Sequence, residues 1–423
     1  MDRADRPLRL EYGREIEGLA VVRQPPPGGA ASFSATYVGP AGWGFDPSSE
    51  AGTARMANQL LTSGAGPYDR VALARKLDRA GATLTPECAP ESGEVTIWGP
   101  AEDWESLLAL LAEAVLRPRF ASADLERVRR QLSERQMREL SQPASRAERE
   151  LFRATYPEGH PYRTNGLGDP RSIARVTPER LHRFHRSHYT GEGAILVVTA
   201  PARLTAVESA VRRHFSDLPK APAPTLRFPP PRSRPPRTIP VHLPGRSEVD
   251  IRLGGDSLSR SDPGYPAAFL ANEILGGRGQ LSRLFQRIRE RSGLVYHAAS
   301  QLESMRFGGH WTVAAGTGPR HAAKIARMLA AELDRLETRD VSASELSEVR
   351  ESAIGELPLA LESTADAHEL AVEVAYHRLP EDYLVRWPTL LREVRPRDVR
   401  EAAERAMDRR HAVTVLAGPL TAG

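Results

Sequence analysis

The sequence repeats itself on either side of a proline-rich stretch, and this duplication limits the fold more than any other feature. Ala57-Asn58-Gln59-Leu60-Leu61 answers to Ala271-Asn272-Glu273-Ile274-Leu275, at an offset of 271 − 57 = 214. Asp124-Leu125 with Val128-Arg129 answers to Glu345-Leu346 with Val349-Arg350, at 345 − 124 = 221. Val176 and Pro178, followed by an apolar run from Ala194 to Pro201, answer to Val394 and Pro396, followed by Ala412 to Pro419, at 412 − 194 = 218. Three nearly equal offsets in the same order make the chain two copies of one unit. Between them, residues 219–240 hold nine prolines, including Pro229-Pro230-Pro231 and Pro235-Pro236, and no acidic residue lies between Leu218 and Ser247. Such a stretch is stiff and extended. A ligand for a proline-reading domain is the alternative, but its place between the copies favours a connector. The expected divisions are 1–218, 219–240 and 241–423.

Within each copy the hydrophobic period alternates between strand and helix. In the first, residues 18–23, 31–38, 94–98 and 194–199 read as strands, and 52–62, 69–80, 102–117, 123–156, 178–188 and 203–215 as helices. In the second, strands are expected at 247–253, 294–303, 307–316 and 411–417. Helices are expected at 264–275, 281–291, 319–336, 380–392 and 396–408, with a long one from 343 that Pro358 should kink or break. The fold class is α+β, with each copy a mixed, mostly antiparallel sheet carrying helices packed on one face.

Composition narrows the function. The 423 residues are 40% hydrophobic and 26% charged, enough for real cores, and the net charge of +4 is too mild to imply nucleic acid or a membrane surface as partner. Cys88 is the only cysteine, so an intrachain disulfide and a cysteine metal knuckle are both excluded. The opening MDRADRPLRLEYGREIEG has no apolar core of a signal peptide, and no apolar run approaches the ~18 residues of a membrane span. A cytoplasmic location is the expectation.

The stretch Gly52-Thr53-Ala54-Arg55-Met56-Ala57-Asn58-Gln59-Leu60-Leu61 opens the first helix. It resembles the active-site helix of the pitrilysin/insulinase-type zinc metallopeptidases, in which Gly-Thr-Ala precedes His-x-x-Glu-His. The likeness continues through Arg117-Pro118 with Phe120, His160-Pro161-Tyr162, Phe184-His185 with Tyr189, Leu275-Gly276-Gly277 and Ser282-Arg283-Leu284-Phe285. In that family two histidines one helical turn apart bind zinc, and the glutamate polarises the attacking water. Here Arg55, Asn58 and Gln59 stand at those positions. A guanidinium has no lone pair to give, the Asn amide is no base, and Gln is a poor zinc ligand. No metal is therefore expected in this chain. The resemblance implies a third ligand about 75 residues on, where Glu134 stands (134 − 59 = 75). An ion pair with Arg55 and a solvated position are both open for it. Pro86, in Leu84-Thr85-Pro86-Glu87-Cys88, interrupts a segment that in active relatives pairs with substrate backbone.

The second copy keeps what the first has lost. Arg289 and Tyr296 lie seven residues apart, as in the family's second-half segment, where the resemblance implies that such a pair holds the substrate carbonyl. A guanidinium and a phenol suit the charge that develops on a tetrahedral intermediate. The resemblance implies a clamshell of two lobes and the non-zinc subunit of a heterodimeric peptidase. A homologous partner with intact His-x-x-Glu-His would hold the zinc, and Arg289 and Tyr296 would reach an extended peptide or leader segment in trans. The alternative is an inert scaffold pseudo-peptidase. Two further patterns carry no site. His182, His185 and His188 step by three residues and drift around a helix, and Gly276-Gly277-Arg278-Gly279 follows a helix and lacks the Lys-Ser/Thr partner of a phosphate loop.

Overall fold

The computed structural model describes residues 10–29, 31–231 and 235–420. In the first copy the strands are β1 (Glu11–Tyr12), β2 (Ala20–Gln24), β3 (Ser32–Gly39), the short pair β4 (Gly64–Ala65) and β5 (Tyr68–Asp69), β6 (Thr83–Cys88), β7 (Gly93–Pro100) and β8 (Ile195–Thr199). Its helices are α1 (Thr53–Leu60), α2 (Arg70–Arg79), α3 (Trp104–Leu116), α4 (Ser122–Ser141), α5 (Pro143–Thr155), α6 (Pro170–Ala174), α7 (Pro178–His188) and α8 (Leu204–His214). The second copy has β9 (Arg237–His242), β10 (Val249–Ser257), β11 (Val295–Ser304), β12 (Gly309–Thr317) and β13 (Val413–Gly418). Its helices are α9 (Tyr265–Asn272), α10 (Ala322–Thr338), α11 (Ala343–Ala360), α12 (Thr364–Tyr376), α13 (Tyr383–Glu393) and α14 (Pro396–Ala406).

The two main sheets have one topology. The first runs β1-β2-β8-β3-β7-β6 and the second β11-β12-β10-β13-β9. Read in the same direction, β2-β8-β3-β7-β6 matches β9-β13-β10-β12-β11. Among the described residues the only parallel pairs are the equivalent ones, β2 with β8 and β13 with β9. Alternation explains the core: Phe33, Ala35 and Tyr37 of β3, Val95 and Ile97 of β7, and Leu196 and Val198 of β8 join one apolar cluster with α1 and α3. Val249, Ile251 and Leu253 of β10 with Val313 and Ala315 of β12 do the same beneath α9, α10 and α14.

A cut at the proline-rich segment does not separate everything. The residues group into two compact units, one of residues up to 136, 165–227 and 357–385, the other of 137–164, 228–356 and 386 onward. Each unit therefore takes one helix from the opposite half of the sequence, on the sheet face away from its main core. In the first unit α12 lies on β8, β3 and β2. In the second α5 lies on β10 and β13, where Ala147 and Leu151 pack with Val413, Val415 and Ala417. Gly254 makes that approach possible, since a Cβ there would lie 2.9 Å from Leu151.

The expected helix 123–156 is two helices. Gln142 is extended (φ −91°, ψ 128°) because the ring of Pro143 disfavours helical backbone in the residue before it, and Pro143 then opens α5. Pro358, expected to break its helix, is carried inside α11, which ends two residues later at Ala360. The last residues read as connector, Arg237–Pro240, belong to β9, an edge strand where a residue without an N–H is tolerated. Arg232–Arg234 lie outside the described residues. Upstream of them Phe228 rests against His160, Tyr162 and Phe307, so this part of the connector is anchored on the second unit.

Candidate functional site

The degenerate metal helix is built from its N-terminus. Asp46 accepts from the backbone N–H groups of Gly52 (2.8 Å) and Ala54 (3.0 Å) and so caps α1. Burial pushes its carboxyl up to about 7, against the lowering effect of those two bonds. One turn in, the Arg55 guanidinium lies 4.7 Å from the centre of the Trp43 ring and donates to the Asn165 carbonyl at 2.8 Å. Asn58 is 1% exposed, and its Nδ2 donates to the Glu94 carbonyl of β7 at 2.9 Å and to the Tyr189 hydroxyl at 3.4 Å. The Glu94 carboxyl, hydrogen-bonded by Ser92 at 2.8 Å, is pushed up to about 7 by burial, and the Cys88 thiol is pushed up to about 12 by the same cause.

Asn58 has a counterpart. Asn272, its equivalent on α9, accepts from the Ser300 hydroxyl of β11 at 2.8 Å, so in both copies an asparagine ties this helix to the sheet. These residues do not fit a zinc ion. The first ligand position, 55, holds a permanent cation already spent on a ring and a carbonyl, the glutamate's position, 58, holds an amide whose donor faces a strand, and the second ligand position holds Gln59, a neutral amide. Among the described residues no group of three or more His, Cys, Asp or Glu side chains is placed to hold a metal.

Glu134 is exposed on α4, and among the described residues no ion pair joins it to Arg55. The buried residue of that turn is Gln136, which donates to the Gly168 carbonyl beside the start of α1. A signal for this stands in the sequence: the buried stripe Leu125, Val128 and Leu132, continued by one turn, lands on 136 rather than 134. β6, which carries Pro86 opposite Val95, is an edge strand of its sheet.

The second constellation lies in the other unit. α9 continues into a π-helical turn over Glu273–Gly277, and a second π-helical turn covers Phe285–Glu290, a rare geometry that often marks functional sites. Gly276 is required in the first of these turns, since a Cβ there would lie 2.3 Å from the Ser300 amide. The arginines of this region differ in use. Arg283 makes a bidentate pair with Glu345 (2.8 and 2.7 Å) and Arg287 pairs with Glu332 at 2.8 Å. Arg289 is exposed, stacks on the Phe285 ring at 4.8 Å, and has no carboxylate partner among the described residues.

Tyr296 is 64% exposed, and the reason is local. The register of β11 against β12 slips between Val295, opposite Thr317, and His297, opposite Gly316, so Tyr296 is the extra residue of a β-bulge on an edge strand. Bulges re-aim side chains, and here two consecutive residues, Tyr296 and His297, both face outward. No residue pattern in the sequence announces this slip. The histidines of α7 are each occupied separately: His182 and His185 lie edge-on to Phe120, His185 also bonds the Val115 carbonyl at 2.7 Å, and His188 stacks on Phe184.

Comparison with known proteins agrees with this arrangement. Residues 23–164 match the profile described as Insulinase (Peptidase family M16), and residues 175–353 match the Peptidase M16 inactive domain. An uncharacterized zinc protease of Mycobacterium bovis is 26% identical over 412 residues, covering 95% of this chain and 91% of that protein. The mitochondrial-processing peptidase subunit alpha of Pongo abelii is 22% identical over 404 residues, covering 88% and 75%. The crystal structure of a peptidase M16 inactive domain from Pseudomonas fluorescens shares the fold, with a TM-score of 0.91 at 24% identity over 98% of this chain and 99% of that one. With both profiles in chain order and one fold throughout, the chain belongs to the insulinase family of peptidases, family M16, as a member whose α1 carries no metal ligands.

Proposed function

We propose that this chain is the metal-free subunit of a two-subunit peptidase, inactive alone. Its partner would be a homologous chain with an intact His-x-x-Glu-His, which holds the zinc and activates water. This chain would contribute Arg289 and Tyr296, a guanidinium and a phenolic hydroxyl directed at the substrate carbonyl as negative charge develops on it. The substrate class is an extended peptide, such as a leader segment.

One contrast carries the reading. At the lost metal motif Arg55 and Asn58 have each taken a structural partner, whereas Arg289 and Tyr296 stand exposed, the first without a carboxylate among the described residues and the second raised by a bulge. Decay without a partner would have no reason to spare the second site. A relative named as the alpha subunit of a processing peptidase supports the two-subunit form.

The test is to co-purify the chain with a homologue bearing the intact motif and to assay cleavage of unstructured peptides. Arg289→Ala combined with Tyr296→Phe should lower kcat by about 10²–10³-fold while the complex still forms. Full activity in that double variant would instead favour the inert scaffold.

A further inference from the structure

A cavity of about 370 Å³ opens between the π-helical turn Phe285–Glu290 and α10, lined by Arg287, Arg291, Met328, Ala331, Glu332 and Arg335. Its charge is uneven. Glu332, the only carboxylate in the lining, has a side chain only 6% exposed and held by Arg287 (2.8 Å) and Arg335. Arg291 is exposed and has no carboxylate partner among the described residues. Three guanidinium groups thus surround one carboxylate over an apolar floor of Met328 and Ala331.

The excess continues along α10. Lys324, Arg327, Ala331 and Arg335 recur at helical spacing and are all exposed, which puts three cations on one face. The other acids of that helix are engaged elsewhere, Asp334 with Arg409 at 2.6 Å and Glu337 with the Arg409 backbone N–H at 2.9 Å. From 324 to 335 the helix rises roughly 16 Å, the reach of a short peptide segment. The cavity has the size for a side chain, and its floor suits the methylenes that carry a carboxylate.

From these features we infer that this face is a docking site for an acidic polypeptide segment, with one carboxylate seated beside Arg291 and others along α10. Guanidinium groups suit the ligand because they bind carboxylates in a fixed fork geometry. Arg289 lies between Arg287 and Arg291 and so points to a different side of its turn. The inference is therefore independent of whether Arg289 touches a substrate.

The test uses the intact chain and fluorescence anisotropy with an amidated, labelled Glu-Ala repeat peptide. A Gln-Ala repeat with a free C-terminus separates a terminal carboxylate from a side-chain one, and the amidated Gln-Ala repeat is the blank. Binding of either carboxylate form, weakening between about 50 and 300 mM salt, supports the site. Arg291→Ala should weaken it about tenfold or more, and Ala331→Glu should abolish it, while Arg212→Ala on α8 leaves it unchanged. Far-UV circular dichroism checks that the variants, all at exposed positions, stay folded. The inference is overturned if neither carboxylate form binds, or if binding survives both Arg291→Ala and Ala331→Glu. Equally tight binding of a single-stranded oligonucleotide, lost in the same variants, would overturn it in favour of an unselective polyanion site.

Discussion

At position 58 an amide does what a carboxylate cannot: it donates a hydrogen bond to a strand carbonyl from a fully buried place. Asn58→Glu would leave the Glu94 carbonyl without that donor and set a second carboxyl near one already pushed up to about 7. We expect the substitution to cost about 1–3 kcal/mol or more, read as a lower urea midpoint with an unchanged slope. Restoring family letters at this helix is therefore a structural loss. The absence of ligands was legible from residue chemistry alone, because arginine cannot coordinate zinc in any fold. The fate of Glu134 was legible only through periodicity, which turns it outward and Gln136 inward. The exposure of Tyr296 was not legible, since a bulge depends on how two strands register and not on the residue that bulges.

Helix α12 is held to its sheet by a buried polar side chain. His368 is buried between two threonines, with Nε2 2.8 Å from the Thr36 hydroxyl and Nδ1 2.8 Å from that of Thr199. Thr36 goes on to Thr96 and Thr199 to Gln24, so one ring spans four strands. At the equivalent place α5 has Ala147 (368 − 147 = 221) in an apolar contact. Burial drives the His368 pKa down to about 3, so the folded state refuses a proton that the unfolded chain accepts near 6.5. Its contribution to stability is complete above pH 6.5 and is lost as pH falls toward 3, by up to about 1.4 kcal/mol per unit. His368→Gln should flatten the pH dependence of the urea midpoint in that window relative to the parent chain. His368→Ala should cost about 1–3 kcal/mol at neutral pH, from two buried threonines that each lose one hydrogen-bond partner. At this scale the sequence showed the inner strands of both sheets and most helices, because their periods are regular, but it missed β6 and took Arg237–Pro240 of β9 for connector. It hid the break at Gln142, since the apolar period runs on through Pro143 and only the proline marks the boundary.

For the molecule as a whole, the duplication read from three offsets is matched by two sheets whose five equivalent strands run in the same order, the first sheet adding β1 at its edge. The exchange of α5 and α12 was not readable, because each helix is amphipathic and nothing in its own residues says which sheet it covers. It predicts that cutting the chain in the proline-rich segment gives no independent halves. Residues 1–231 lack α12, and residues 235–423 lack α5. Each fragment alone should show no cooperative thermal transition, and co-expression should restore one, with the fragments co-purifying. Two fragments that each melt cooperatively alone would contradict the exchange.

The same exchange sets an order of events during synthesis. The last strand of the first sheet ends at Thr199, and the helix that covers its second face begins at Thr364, 364 − 199 = 165 residues later. At 5–20 residues per second the ribosome needs roughly 10–30 s to deliver it. Through that interval the face bearing Gln24, Ser34, Thr36 and Thr199 stands open to water. Its polar residues are those a sheet can leave wet while it waits, a wait that the face beneath α5 never has, since α5 is made before its sheet.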